Sequence, residues 1–312
     1  MRGPSHEDGA LRHFLDVDDL APDELLTVID RAEAADPPAV LAGRSVGLLF
    51  QKPSLRTRHS CEGAVVQLGG HPLTFFGQEV SPDAREPMAD IARVLAGYHA
   101  VLGARVFDHG HLVQLAATDA LPIVNLLSDT AHPCQALADL LTIRQHFGSF
   151  DDRTICWVGD YNNTVRSLAR GAAMVGVGLR VAAPAGYGPG PAELDYLRSR
   201  GGPVDAGDDP ITAADGADVV YTDVWTSMGF ELEDATRHDA FAGYQVDDAV
   251  MSAAGPDAVF LHCLPAHRGE EVAASVVDGP QSLVFPQAHN RLAAFRGLLW
   301  WLVEVNGQAA TP

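Results

Sequence analysis

The residues in this chain that could do chemistry fall into a few short groups, each placed just behind an apolar run. The first is Ser54-Leu55-Arg56-Thr57-Arg58, which follows Val46-Gly47-Leu48-Leu49-Phe50. That order reads as a strand, a turn and the first turn of a helix. A helix start presents unpaired backbone N–H groups and a partial positive charge, and both favour an anion. Ser54 and Thr57 add hydroxyls, while Arg56 and Arg58 add planar forks that match phosphate oxygens. A solvated basic helix start has a similar composition, but the surrounding chain is strongly acidic, so the segment reads as a phosphate site.

The second group is Asp129-Thr130-Ala131-His132-Pro133-Cys134-Gln135. Proline fixes a helix start, leaving His132 just ahead of it and Gln135 in the first turn. An imidazole and a carboxamide can together meet a carbonyl oxygen and an NH2 group; a plain helix cap with a surface histidine is the simpler alternative. The third group, Gly159-Asp160-Tyr161-Asn162-Asn163-Thr164, follows the apolar run Thr154–Val158. It lacks the GxGxxG spacing of a dinucleotide site, and its paired asparagines either shape a turn or hold a small polar ligand. The fourth, Asp223-Val224-Trp225-Thr226-Ser227-Met228-Gly229, offers a carboxylate for an ammonium group and a hydroxyl and backbone N–H for a carboxylate. Together with an asparagine, that set suits the two ends of an amino acid. The fifth runs from His262 to Glu271 through Cys263-Leu264-Pro265. Its cysteine is either core packing or a neighbour of a reacting amine beside Asp223, and its Leu-Pro bond is a candidate for cis geometry. Asn290-Arg291 reads as the opening of a C-terminal helix whose arginine could return to the phosphate site.

The elements that must position these groups alternate. Strands are expected at Val46–Phe50, Val101–Val106, Leu121–Val124, Thr154–Val158, Leu179–Val181, Val219–Thr222 and Val259–Leu261. Helices are expected at Asp16–Ala35, Thr57–Leu68, Met88–Tyr98, Pro133–Phe147, Thr164–Val175 and Asn290–Val305, with a loop over Gly77–Pro87 and a loose leader over residues 1–10. Strand–helix alternation implies parallel sheets flanked by helices, and in such sheets ligands bind beyond the carboxyl ends of the strands. The pattern restarts at Asp151, so the helix at Pro133–Phe147 reads as a link between halves. With 312 residues the chain exceeds one ordinary core. We expect two doubly wound parallel-sheet α/β domains linked by helices, with the active site in the cleft between them. The first domain spans residues 1–133, with the C-terminal helix of about 290–308 packed back on it, and the second spans 134–289.

The balance of 41 acidic against 21 basic residues gives a formal charge of −20. Such a surface repels nucleic acid and anionic membranes, so an anionic substrate must be drawn in by a focused patch. Four scattered cysteines without a CxxC pair argue against zinc ligation and a disulfide framework. They read as reduced thiols of a cytoplasmic protein. No apolar run approaches a membrane span.

Taken together and in order, these groups resemble the aspartate/ornithine carbamoyltransferase family. Ser54-Leu55-Arg56-Thr57-Arg58 resembles its carbamoyl-phosphate signature and His132-Pro133-Cys134-Gln135 its HPxQ element. Asp223–Gly229 and His262-Cys263-Leu264-Pro265 resemble the ornithine branch. The resemblance runs from about Leu11 to Val305. It implies that Ser54, Leu55, Arg56, Thr57 and Arg105 hold the phosphate, that Arg105, His132, Gln135 and Thr57 contact the carbamoyl group, and that Arg291 closes on the same ligand. It implies further that Asn163, Asp223, Ser227 and Met228 grip ornithine, and that Cys263 and the Leu264 carbonyl meet the δ-amine and the carbamoyl NH2. On the same resemblance Arg105, His132, Asp223 and Cys263 are expected to form the catalytic set. The implied partners are the small molecules carbamoyl phosphate and L-ornithine, with no metal or organic cofactor, and the implied assembly is a homotrimer or a multiple of trimers. A related amine such as lysine or N-acetylornithine, or a weakly active regulatory role, are the alternatives. Three departures from the family pattern stand out. Leu126 replaces a usual glycine before His132, His289 replaces a usual glutamate beside Arg291, and Ser81-Pro82-Asp83 occupies a loop that reaches a neighbouring subunit in relatives.

Overall fold

The computed structural model describes residues 10–80, 86–226 and 234–309. The chain divides into two compact units: one runs to Leu141 and resumes at His289, and the other is Thr142–Ala288. Each is built on one parallel sheet.

In the first unit the strands are β1 (Ser45–Phe50), β2 (His71–Phe76), β3 (Val101–Arg105) and β4 (Ile123–Leu127), in spatial order β2-β1-β3-β4, all parallel. Every β3 residue is buried, as in a strand covered on both faces. β2 was not among the expected strands. It is an edge strand with half-exposed positions and a proline in second place, and it lacks the continuous apolar signal that marks its neighbours. The second unit carries β5 (Thr154–Val158), β6 (Gly178–Ala182), β7 (Val204–Gly207), β8 (Val219–Thr222) and β9 (Val259–His262), in the order β7-β6-β5-β8-β9, again parallel. The short, exposed edge strand β7 was missed for the same reason.

These orders reverse direction between β1 and β3 in the first unit and between β5 and β8 in the second. At such a switch point the two connections leave toward opposite faces and open a crevice at the carboxyl ends. Three of the sequence groups start there: Ser54–Arg58 after β1, Asp160–Asn163 after β5 and Asp223 after β8. Cys263 follows the neighbouring β9.

Several helix boundaries differ from the expected ones. The segment Asp16–Ala35 is not one helix: a 3-10 turn at Val17–Asp19, capped by Asp16, is followed by the helix Pro22–Glu33, with Pro22 in its first turn. Gly77–Val80, expected as loop, is a single helical turn; Ser81–Arg85 lie outside the described residues. The C-terminal helix is Val284–Ala309, so Arg291 sits two turns inside it and does not open it. This helix lies against Pro22–Glu33. A Cβ on Gly297 would meet the Val28 carbonyl oxygen at 2.4 Å and the Ala32 nitrogen at 2.7 Å, so only glycine allows the approach that fixes the helix carrying Arg291. No helix among the described residues is long and apolar enough to cross a membrane.

Candidate active site

In the first unit, Ser54 is the N-cap of the helix Leu55–Gln67, and its Oγ accepts from the Thr57 N–H at 3.3 Å. The remaining first-turn N–H groups include those of Leu55 and Arg56. Thr57 is buried, and its Oγ1 accepts from Arg105 Nη1 at 3.2 Å and from Arg291 Nη2 at 3.1 Å. A hydroxyl has two lone pairs and one hydrogen. Both lone pairs are engaged by guanidinium groups, so the Thr57 O–H is oriented to donate. Arg105 ends β3 and Arg291 comes from the C-terminal helix; both are buried. Two guanidinium charges converging on one oxygen inside a protein repel each other and have lost water, an arrangement that favours binding of an anion.

His132 and Gln135 stand in the same group. Arg291 Nη1 lies 3.5 Å from His132 Nε2 and donates a short hydrogen bond to Gln135 Oε1. Gln135 Nε2 in turn donates to Asp139 Oδ1 at 2.8 Å. Burial, followed by the charges of Arg291, Arg105 and Arg56, holds the His132 imidazole well below the usual histidine range. The ring is therefore neutral. With a guanidinium facing Nε2, the lone pair belongs there and the proton belongs on Nδ1.

The sign of the stability effect follows. An unfolded chain protonates this imidazole below about pH 6.5, while the folded chain does not. Stability contributed by the neutral ring is therefore complete above that pH and is lost as pH falls. Below it the loss reaches ~1.4 kcal/mol per pH unit. Urea unfolding of the wild type and of His132→Gln at pH 7 and pH 5.5 should show the wild type losing more stability on acidification. Parallel losses would contradict the neutral, buried assignment.

Arg58 is not brought to this group. It is exposed, pairs with Glu62 at 2.9 Å one turn on, and lies over the Phe76 ring at 5.7 Å. Leu126 is buried in the core against Gly103, where a Cβ would meet its methyls at 3.2 Å. The loop beyond it is closed by the Ser128 N–H donating to the Ala131 carbonyl at 2.9 Å. His289 is exposed, and Arg291 keeps its partners in Thr57 and Gln135 without a glutamate at that position.

In the second unit Asp223, at the carboxyl end of β8, is the hub. Its Oδ1 accepts from Cys263 Sγ at 3.1 Å and from the Val224 N–H at 2.9 Å, and its Oδ2 accepts from Asn162 Nδ2 at 2.9 Å. Asn162 also caps the helix Asn163–Met174 through its Oδ1. The sequence had pointed to Asn163, which is the first residue of that helix; Asn162 is the residue tied to Asp223. Arg237 is another residue that sequence reasoning missed. It donates to Asp160 Oδ2 at 2.8 Å and to the Trp225 carbonyl at 3.1 Å, and so joins the ends of β5 and β8. Nothing in its local sequence marks it. Ser227 and Met228 lie outside the described residues.

Cys263 is half-buried, whereas Cys61, Cys134 and Cys156 are buried. Burial pushes the Cys134 and Cys156 thiols up to about 12 and raises Cys61 further. None of the four is in a disulfide. The Leu264–Pro265 bond is cis. The Leu264 N–H donates to His262 Nδ1 at 2.9 Å, and His262 Nε2 faces the fully buried Glu271 Oε1 at 3.1 Å. That chain sets the His262 tautomer and holds the turn bearing the Leu264 carbonyl. Neither His262 nor Glu271 was singled out by residue type alone, because the link between them exists only in the folded loop.

Comparison with known proteins fits this geometry. Residues 12–145 match the carbamoyl-P binding domain, and residues 151–302 the Asp/Orn binding domain, of aspartate/ornithine carbamoyltransferases. A protein of Haloquadratum walsbyi named ornithine carbamoyltransferase is 48% identical over 297 residues, covering 94% of this chain and 98% of that one. Among solved structures, ornithine carbamoyltransferase from Thermus thermophilus superposes with a TM-score of 0.86 at 41% identity, covering 94% of this chain and 99% of that chain. The enzyme from Pyrococcus furiosus gives 0.88 at 40%, covering 94% and 97%. Two parallel α/β sheets with strand-end polar groups define a two-domain transferase architecture. The chain belongs to the aspartate/ornithine carbamoyltransferase family.

Proposed function

We propose that the chain transfers the carbamoyl group of carbamoyl phosphate to the δ-amine of L-ornithine, giving L-citrulline and phosphate. The observation that carries this reading is the buried convergence of Arg105 and Arg291 on Thr57 beside a neutral His132. The phosphate is held by the helix start at Ser54–Thr57 with Arg56, Arg105 and Arg291. The Thr57 O–H and the His132 N–H are donors for the carbamoyl oxygen. These residues, read as binding carbamoyl phosphate, belong to the first unit, and those read as binding ornithine to the second. Asp223, with Asn162 and Asn163 beside it, takes the amino-acid end of ornithine together with Ser227 and Met228. The Leu264 carbonyl is an acceptor for the carbamoyl NH2.

Only an uncharged amine attacks the carbamoyl carbon, yet a free alkyl ammonium has a pKa near ~10. The Asp223 carboxylate, which accepts from the Cys263 thiol, takes that proton. The nitrogen–carbon bond forms, negative charge develops on the carbamoyl oxygen opposite Arg105, Thr57 and His132, and the carbon–oxygen bond to phosphate then breaks. The leaving phosphate keeps the bonding electron pair, takes the second proton that the attacking nitrogen loses, and is matched by the arginines and the helix start.

A panel of amines incubated with carbamoyl phosphate tests the acceptor. Ornithine should be carbamoylated; lysine, longer by one methylene, should fall behind by roughly 10–200-fold in kcat/KM. Equal rates with lysine or N-acetylornithine would overturn the choice of ornithine. We further read the exposed Leu55, Leu73 and Phe76 of the first unit as surface that a neighbouring subunit covers in a trimer. Light scattering should then give three times 33.1 kDa, or a multiple of that; a monomer in solution would contradict it.

A further inference from the structure

The segment that carries Cys263 and Leu264 ends in a second group of donors, which the transfer reaction does not use. His267, Glu270 and Glu271 each offer one ligand atom, and these atoms lie within 4.8 Å of one another. His267 Nδ1 stands 3.5 Å from Glu270 Oε2 and 3.7 Å from Glu271 Oε2. A tetrahedral ion with bonds of ~2.0–2.2 Å sets its ligand atoms roughly 3.3–3.6 Å apart; the 3.5 Å pair falls within that span and the 3.7 Å pair 0.1 Å beyond it.

Glu271 supplies an independent observation. Its side chain is fully buried. Oε1 accepts from the His267 N–H and faces His262 Nε2, whereas Oε2 has no hydrogen-bond partner among the described residues. A buried carboxylate oxygen without a partner is costly, and this one faces His267 Nδ1. A second imidazole is close: His238 Nε2, on the helix Asp234–Phe241, lies 3.2 Å from Glu270 Oε2.

We propose that His267, Glu270 and Glu271 form a binding site for a divalent transition ion of the zinc class, with His238 able to complete the shell. An imidazole with two carboxylates suits a borderline ion better than magnesium, which prefers oxygen alone. An ion there joins the segment after β9 to the helix Asp234–Phe241. It shares Glu271 with His262, and through His262 it steadies the Leu264 turn.

Asp223, His262 and Cys263 are also close enough to hold an ion, so the experiment removes that possibility by using full-length Cys263→Ala protein. Calorimetric titration with Zn2+ at pH 7 should show one ion per chain. His267→Ala and Glu270→Gln, each added to Cys263→Ala, should weaken binding at least tenfold; both side chains are about half exposed, so neither burdens the fold. Co2+ should give visible ligand-field bands with no thiolate charge-transfer band. Absence of saturable binding, or an affinity unmoved by both substitutions, would overturn the proposal. Every readout is binding, so the result stands apart from the assignment of the reaction.

Discussion

Replacing Arg105 with alanine should lower kcat for citrulline formation by ~100–1000-fold, the loss typical of removing one donor to a developing oxyanion. Arg105 sits at the end of β3, buried, with Nη1 on Thr57 Oγ1. It is one of two guanidiniums whose positions are set by different elements, the sheet for Arg105 and the C-terminal helix for Arg291. Its removal leaves Thr57 with one donor instead of two and relieves the repulsion between like charges in a buried place. Activity and stability should therefore separate: steady-state rates collapse, while the thermal midpoint holds or rises, because one of two like charges leaves a buried place. The same substitution removes one of the charges that hold His132 below its usual range. NMR titration of the His132 ring should thus show its pKa moving up toward the ordinary value. Loss of activity accompanied by a large fall in the melting midpoint would mean that Arg105 is architectural, and would remove it from the reacting set.

Asp223→Asn should be as severe at the other substrate. A positioned general base contributes typically ~100–10,000-fold, and kcat/KM for ornithine should fall by that order while the affinity for carbamoyl phosphate stays unchanged. The geometry explains why the isosteric amide does not substitute. Asp223 accepts on both oxygens, from Cys263 Sγ, the Val224 N–H and Asn162 Nδ2. An amide turns one acceptor into a donor, which must then face either Asn162 Nδ2 or the Cys263 thiol. Calorimetry with carbamoyl phosphate alone and initial rates against ornithine separate the two effects. A variant weakened in donor binding, with an ordinary KM for ornithine, would contradict the division of labour between the units.

Buried strands and the polar residues just past them were legible in the sequence, whereas edge strands and long-range partners were not. A buried parallel strand reads as an apolar run, and the polar residues just past its end are the ones that topology delivers to a switch point. Ser54–Thr57, Asp223 and Cys263 were legible for that reason. β2 and β7 were not, because edge strands are half-exposed and carry no such run. Arg58 was misplaced by composition. The helix begins at Leu55, and residues two apart on a helix do not share a face, so Arg58 turns to Glu62 while Arg56 keeps its charge near His132. Arg291 was found by type but misplaced at a helix start, since the apolar Val284–Phe285 ahead of it already belongs to the helix. Asn162, Arg237 and the Glu271–His262–Leu264 chain depend on partners tens of residues away or on the path of a loop, and no local spacing encodes them.

The central claim is that one chain binds carbamoyl phosphate at Ser54–Thr57 and delivers its carbon to the δ-nitrogen of ornithine. The most direct measurement follows 13C-labelled carbamoyl phosphate by NMR in the presence of the protein and L-ornithine. The labelled carbon should appear in the ureido group of citrulline, with one phosphate released for each citrulline and transfer ~100–1000-fold slower with Arg105→Ala protein at the same concentration. Label that stays in carbamoyl phosphate, or reaches only cyanate and carbonate at the rate seen without protein, would contradict it.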